Sequence, residues 1–314
     1  MASFIDSVQG IFHFLTDRVP ADLPAVPPAP RRTNLWCREG VPIVSKVTAA
    51  GDLEASVIKS LDLLGGLSRL ASAGDTIMVK PNFNSPDPYP GSTDLGFLKT
   101  VLALLLQTGA KVIVGESSGG MWRPTSKTMA KAGLTELLAG MEVGLVAFDD
   151  HPRDWVRIDI KGDYLGKVTM PRSAYEATRL VYLPCLKTHN LARFTMSLKI
   201  AMGLVHPGER LAMHVSHLEQ KVVEINLAWQ PDLIITDGRK AFITGGPDKG
   251  EVVEPNVILA SGDMVAADVE ALKVLLSYKA RNKLTPNPWD SPQIVTALRH
   301  QLGAREGEYR LLTG

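Results

Sequence analysis

Apolar and polar positions follow two periods along most of the chain, which predicts alternating helices and strands. Residues 53–64 carry apolar side chains at helical spacing. So do residues 92–107, with Ser92 or Thr93 as the predicted cap and Gly109 as the terminator. Short apolar runs at 75–79 and 111–114 flank this second helix and predict buried strands. A strand, a helix and a strand within about forty residues predict a βαβ unit.

The same alternation returns in the C-terminal half, with strands predicted at 180–183, 233–236 and 257–260 and helices at 219–229 and 266–276. Strands that are apolar on both faces are typical of a sheet covered on both sides. The sequence therefore predicts an α/β fold, with a mostly parallel sheet and helices on both faces. Residues 141–170 contain short β-type segments instead and predict a smaller β-rich insertion.

The first forty residues have a different pattern. Residues 1–16 place Phe4, Val8, Ile11 and Leu15 on one helical stripe, and five prolines between positions 20 and 30 predict a stiff, extended spacer. We expect an N-terminal segment of residues 1–40 and an α/β domain of residues 41–314. The stripe would pack on its own domain or on a second subunit of a homo-oligomer. A membrane-surface helix is the alternative, although the lysines typical of such helices are missing.

Composition narrows the classes of function. Hydrophobic residues make up 45% of the chain, charged residues 21%, and the formal net charge is +1, which indicates a globular protein without a nucleic-acid-binding footprint. Two cysteines exclude a disulfide framework and a four-cysteine iron–sulfur cluster. We find no nucleotide-binding motif, and the sequence leaves the cofactor unknown. Without a secretory signal or an apolar run long enough to span a bilayer, we expect a cytoplasmic protein with no transmembrane segment.

Polar or glycine-rich residues follow four of the predicted strands. Because parallel strands end at one edge of a sheet, we expect these residues to share a cleft. The predicted members of the cleft are Lys80, Asn82, Gly115, Glu116, Ser117, Gly119, Lys187, His189, Lys199, His214 and Asp237.

Basic side chains and glycine amides predict acid–base and anion-binding chemistry in this cleft. We assign Lys187 and His189 to acid–base work, with His214 as a third catalytic group that assists binding or ligates a metal. Lys80 and the backbone amides of residues 115–120 would bind the anion. A buried ion pair between Glu116 and Lys187 is the structural alternative.

Ser216 and Glu219 have the spacing of a capping box, which predicts that His214 lies near a helix N-terminus. If a metal is present, its predicted ligands are His189, His206 and His214. The spacing of these three histidines matches no strong zinc motif.

Five motifs in order carry a family resemblance: Lys80-Pro81-Asn82, Gly115-Glu116-Ser117, Lys187-Thr188-His189, Ser197-Leu198-Lys199 and the segment 263–268. Over roughly residues 75–275 they resemble the family catalogued as domain of unknown function 362. Many members carry ferredoxin-type cysteine motifs, which this chain lacks. It also has Ile200 where the family usually has Asn, and Thr178 where Asp is common. The layout is similar to the two-lobed lactate racemase group, with no motif matched residue by residue.

Two functions fit these residues. The first is an enzyme that acts on a small anionic metabolite by acid–base chemistry of the isomerase, racemase or lyase type. The alternative is a non-catalytic protein that binds or carries a metabolite or a metal. A carrier would tolerate loss of Lys187 with weakened affinity only, whereas an enzyme would lose turnover.

The N-terminal stripe leads to a prediction about oligomeric state. Deleting residues 1–30 is expected to lower the oligomer mass or the solubility, because it removes the apolar stripe together with its spacer. Sedimentation measures both. Unchanged mass and solubility would contradict the prediction.

Overall fold

The computed structural model describes residues 10, 12, 16–49 and 51–314. The strands in these ranges are β1 Ala25–Val26, β2 Cys37–Arg38, β3 Val41–Thr48, β4 Thr76–Lys80, β5 Lys111–Glu116, β6 Val143–Ala147, β7 Trp155–Asp159, β8 Lys167–Pro171, β9 Arg179–Tyr182, β10 Cys185–His189, β11 Arg193–Thr195, β12 Leu233–Phe242, β13 Val252–Val253, β14 Val257–Ser261 and β15 Arg310–Thr313.

The α-helices with described bounds are α1 Leu53–Leu64, α2 Leu95–Leu106, α3 Thr125–Lys131, α4 Leu134–Leu138, α5 Arg172–Tyr175, α6 Ser197–Ile200, α7 Pro207–Val215, α8 Leu218–Glu224, α9 Met264–Leu276 and α10 Pro292–Arg299. Short 3₁₀ turns connect several of them, for example Gly120–Trp122 and Ala201–Leu204. Within the described ranges, every helix is too short or too polar to serve as a membrane span.

The main sheet follows the order β15-β3-β14-β12-β9-β4-β5-β6. Neighbouring strands on this path are parallel except where β14 pairs with β12 and with β3. The prediction of a mostly parallel α/β sheet is therefore confirmed. One consequence positions the site: β4 and β5 end side by side at Lys80 and Glu116.

Helices cover both faces of this sheet, and β4 illustrates why its strands are apolar throughout. Successive side chains of a strand point to opposite faces. Ile77 and Val79 accordingly join a core that includes Val57 of α1 and Phe97 of α2. Met78 joins the other core, which includes most of α9. Burial on both faces accounts for the continuous apolar run.

The β-rich insertion is smaller than its predicted range. The strands β7 and β8 form an antiparallel hairpin, and β1 adds to β7 in a separate three-stranded sheet. However, Val143–Ala147 does not belong to it, because this segment pairs with β5 as the edge strand of the main sheet. Short apolar runs look alike in sequence whichever sheet they join.

The proline-rich stretch is extended, and it is packed rather than free. Ala25 and Val26 pair with β7, Leu23 is buried, and the indole Nε1 of the buried Trp36 donates a 2.8 Å hydrogen bond to the carbonyl of Asp232. The division near residue 41 stays a prediction. Of the predicted helix over residues 1–16, Phe4, Val8, Ile11 and Leu15 lie outside the described residues. A deletion that ends at residue 16 is the cleaner test of oligomer formation, since it keeps β1.

The cap of α2 is not the predicted one. The Asp94 carboxylate accepts a 2.8 Å hydrogen bond from the amide of Phe97, so Asp94 caps this helix. Ser92 and Thr93 are engaged elsewhere: the Ser92 hydroxyl donates to the Ser85 carbonyl, and the Thr93 hydroxyl accepts from the Asn82 amide. All these oxygens are local cap candidates, and longer-range contacts decide among them.

Candidate functional site

A cavity of about 610 Å³ opens beside the carboxyl ends of β4 and β5. It also takes residues from β10, from α6 and α7, and from the turns near them. Most of the predicted cleft residues lie on its wall, namely Lys80, Asn82, Glu116, Ser117, Gly119, Lys187, His189, Lys199 and His214. Residues far apart in sequence therefore share one cavity.

A buried ion pair joins the ends of β4 and β5. The Lys80 amine lies 2.6 Å from the Glu116 carboxylate, and both side chains are almost fully buried. The carboxylate also accepts hydrogen bonds from the amides of Phe83 and Ser117. Glu116 thus pairs with Lys80 and not with Lys187, the partner named in the structural alternative. Burial lowers the pKa of Lys80, and the adjacent carboxylate opposes that shift.

Three amides of the predicted anion cradle, those of residues 117–119, donate to partners within the protein. Ser117 donates its amide to the Glu116 carboxylate, Ser118 to the hydroxyl of Thr125, and Gly119 to the carbonyl of Asn84. A backbone N–H has one hydrogen to donate, so these three are already used. These three amides are not available to an anion in the cavity.

Two cations of the site are held by backbone carbonyls. The Lys187 amine donates to the carbonyls of Gly91, at 2.5 Å, and Pro247, at 2.8 Å. The Arg210 guanidinium donates to carbonyls of Ser117, Ser118 and Val205. Burial lowers the pKa of Lys187, and lowers that of Arg210 to about 10. Carbonyl dipoles satisfy the donors without cancelling the charges.

His189 is a hydrogen-bond donor, not the predicted base. Its Nδ1 accepts from the backbone amides of Leu191 and Ala192, each at 3.1 Å. In the neutral ring the proton is therefore on Nε2. Burial, with the nearby Lys199 and Lys187 charges acting in the same direction, lowers the pKa of His189 to about 2. The ring stays neutral and offers an N–H.

His214 has the opposite tautomer. Its Nδ1 lies 2.7 Å from the carbonyl of Arg210, which only accepts, so Nδ1 carries the proton and Nε2 keeps a free lone pair. Burial lowers the pKa of His214. The predicted helix N-terminus is wrong: His214 lies in the last turn of α7, Ser216 ends that helix, and Glu219 accepts from Arg193. The contact with distant Arg193 competes with the expected capping box.

Lys199 is presented by the four-residue helix α6, which is clamped from two sides. The buried Asp268 carboxylate accepts from the Ser197 and Leu198 amides and from the Ser197 hydroxyl. Asn226 donates to the Leu198 carbonyl. Among the described residues, no hydrogen bond or ion pair engages the Lys199 amine. Burial, together with the charges of Lys187 and Arg210, lowers the pKa of Lys199 to about 7.

Two hydroxyls on the cavity wall have no partner within the described part of the chain. They are Ser117 Oγ and Thr195 Oγ1, in side chains only 1% and 5% exposed. Buried polar groups are normally hydrogen-bonded, and an exception indicates a missing ligand or water. Thr195, Gly203 and Arg210 also line the cavity and are not among the residues predicted for the site. A single Thr or Arg in a sequence does not indicate that its side chain faces a cavity.

Three predicted residues do not line the cavity. Asp237 accepts from Tyr89 and Arg239 instead, and Gly115 packs against Phe148 inside the sheet, where a Cβ would lie 2.2 Å from the ring. His206 accepts from the Gly208 amide and lies edge-on to Trp155. Gly115 and Asp237 lie within β5 and β12 rather than after them, and His206 caps the N-terminus of α7.

The predicted set of three metal-ligating histidines is therefore not assembled. His206 is absent from the cavity wall, and the neutral His189 carries its proton on Nε2, so His214 is the member of the set on the wall with an unprotonated Nε2. In the described ranges, the potential three-ligand cluster is Asp163, Glu224 and His300, outside this cavity. There the Glu224 carboxylate accepts from the amides of residues 163–165, so its contacts are those of a loop clamp.

The two departures from the family pattern lie at different places. Ile200 lines the cavity and adds an apolar surface there. Thr178 lies at the opposite ends of the strands, where its hydroxyl exchanges hydrogen bonds with the backbone of Thr76. Only the Ile200 departure changes the cavity wall.

Residues 77–273 match the model of the family described as Domain of unknown function (DUF362). A thylakoid-associated protein of Synechocystis sp. is 29% identical over 239 residues, 72% of this chain and 71% of that protein. The lactate racemase apoprotein of Thermoanaerobacterium thermosaccharolyticum is similar with a TM-score of 0.48 and 16% identity over 77% of this chain. A Thermotoga maritima protein has a TM-score of 0.42 and 12% identity over 71% of it. The matches span 58% of each of these two solved chains.

The packing at Gly203 leads to a stability prediction. A Cβ there would lie 2.5 Å from Lys80 Cε and 2.7 Å from a Glu116 oxygen. Gly203→Ala is expected to displace the buried ion pair and to lower the free energy of unfolding by about 1–3 kcal/mol. Denaturant unfolding measures it, with Gly140→Ala as the control because nothing lies within 4 Å of that Cβ. Equal effects of the two substitutions would contradict the close packing.

Proposed function

This chain belongs to the DUF362 family, as its motifs predict, and we propose that it is an enzyme that transfers a proton on a small anionic metabolite. The reaction would be of the isomerase, racemase or lyase type, with the proton taken from the carbon next to the carboxylate. The observation that carries the proposal is the Lys199 amine, unpartnered among the described residues and facing a buried, cationic cavity.

The charge balance of the cavity supports an anionic ligand. Glu116 neutralises Lys80, and Asp248 is a second carboxylate on the wall. Among the described residues of the wall, four basic side chains (Lys80, Lys187, Lys199 and Arg210) face these two acidic ones, so basic groups are in excess. A bound anion is therefore favoured, because attraction between charges is strongest where water is excluded. Donors remain for a carboxylate: the third N–H of Lys187, the Nε2–H of His189 and the hydroxyl of Ser117.

The roles of the basic groups differ from those first assigned. A group whose pKa is about 7 is well matched to general-base work near neutral pH, so Lys199 is the proposed base. His214 has a free Nε2 and is the second proton carrier. Lys187 and His189, first assigned to acid–base work, bind the carboxylate and stabilise the charge that develops as the proton leaves.

Location and partners belong to the proposal as well. A cytoplasmic location and a homo-oligomer formed through residues 1–16 stay predictions. The name of the Synechocystis relative associates that protein with thylakoids. Fractionation of cells that express this chain would distinguish a free protein from a membrane-associated one.

Proton transfer leads to a direct test. A panel of 2-hydroxy acids is incubated with the protein in D₂O, and the loss of each Cα–H signal is followed by NMR. Lys199→Met is expected to slow exchange by about 100-fold or more, because it removes the base. Lys279→Met, at an exposed lysine, is the control and is expected to leave the rate unchanged.

The outcomes separate the alternatives. Binding of an acid without exchange by the wild-type protein would indicate the non-catalytic carrier. Exchange at the full rate in Lys199→Met would contradict the role of Lys199 and leave His214 as the base.

The pKa of Lys199 leads to a prediction about stability. Its folded value of about 7 lies below the unfolded value of about 10.4, so between these values the unfolded state binds more protons. The contribution of Lys199 to the free energy of unfolding therefore rises as the pH increases from 7 toward 10. Relative to Lys199→Met, the wild-type protein is expected to gain on the order of 1–2 kcal/mol between pH 7 and pH 9 in denaturant unfolding. If the difference in unfolding free energy between the two proteins does not change with pH, Lys199 is an ordinary, charged lysine.

A further inference from the structure

We propose that the ligand is an amphiphilic carboxylate, with its charged head near Lys199 and a hydrocarbon chain that extends to the opening of the cavity. This inference rests on the proposed function and names its substrate class. It comes from three observations: apolar side chains at the opening, apolar residues on the wall, and the size of the cavity.

Three large apolar side chains are exposed on the wall of the cavity, together with the polar residues Asn84, Asn190 and Asp248. Met121, Leu191 and Leu211 line it and are 48%, 65% and 53% exposed. We call these three residues the mouth. They come from three separate places: the turn after β5, the β10–β11 connection and helix α7. Single exposed apolar residues are ordinary, but several around one cavity indicate a surface that is covered by a ligand or partner.

Further apolar residues connect the mouth with the interior. Ile200 and Met202 line the cavity and are mostly buried, at 5% and 9% exposure. Ile200 directly follows Lys199, so charged and apolar surfaces are adjacent along one short segment. A ligand with a carboxylate at one end and methylene groups at the other matches this order.

The volume supports a ligand longer than a simple small acid. A cavity of about 610 Å³ lies within the range of about 300–1,000 Å³ that is usual for drug-sized ligands. A two- to four-carbon acid held at Lys199 would leave the mouth in contact with water. A longer chain would cover it, and apolar area removed from water stabilises the complex.

A chain-length series tests this inference. The dissociation constants of acetate, butyrate, hexanoate and octanoate are measured by calorimetry on the full chain. Each added methylene is expected to tighten binding about two- to four-fold, the upper value being that of a fully buried methylene. The double variant Leu191→Gln/Leu211→Gln is expected to lose at least half of that gain for each methylene. Val252→Gln, at an exposed valine away from the cavity, is expected to retain it.

The outcomes distinguish this inference from the function on which it rests. Binding that does not strengthen with chain length overturns the amphiphilic ligand, whereas the D₂O exchange experiment still decides the enzyme. A chain-length gain that the double variant keeps in full also overturns it and assigns the mouth to another occupant, a protein or a lipid surface. If Lys187→Met binds butyrate as tightly as wild type, the carboxylate site of the proposed function is wrong.

Discussion

The site depends on the buried ion pair between Lys80 and Glu116. Two parallel strands end side by side, which brings the opposite charges of two almost fully buried side chains to 2.6 Å. Removing such charges from water costs several kcal/mol per ion, and the cost is offset only when the remaining hydrogen-bonding capacity is satisfied. Here the Glu116 carboxylate accepts hydrogen bonds from the amides of Phe83 and Ser117, and the Lys80 amine donates to the carbonyl of Pro81. The loops on both sides of the cavity are thereby tied to one carboxylate.

Around this pair, two buried cations donate hydrogen bonds to groups that carry no opposite charge. Lys187 and Arg210 donate their hydrogen bonds to carbonyl groups rather than to carboxylates. Their charges remain and act on Lys199, whose amine has no partner among the described residues. This is why burial and like charges shift the pKa of Lys199 so far. Lys80, which is buried and paired, and Lys199, which is half-buried and unpaired within the described ranges, therefore have different chemistry.

The turn that bears Met121 is held by the segment before β1. Arg123 pairs with Asp149 on the domain and with Asp17 from the N-terminal side. Gly10 lies so close to the Met121 backbone that a Cβ would meet the carbonyl at 2.4 Å. Part of the mouth therefore owes its position to residues outside the family match, which begins at residue 77. The N-terminal segment and the cavity are structurally connected, whatever oligomer the protein forms.

Sequence alone determined the βαβ order, the parallel sheet and most of the cavity wall, because apolar periodicity is local and parallel strands end at one edge. Tertiary structure decided what each side chain does there. The Lys187 amine donates to carbonyls that lie 96 and 60 positions away in the sequence. The Asp237 carboxylate accepts a hydrogen bond from Tyr89, 148 positions away, and does not face the cavity. The tautomers of His189 and His214 likewise depend on which backbone group each Nδ1 meets. The charge and pairing of a buried group depend on neighbours brought by folding, and periodicity in the sequence does not record them.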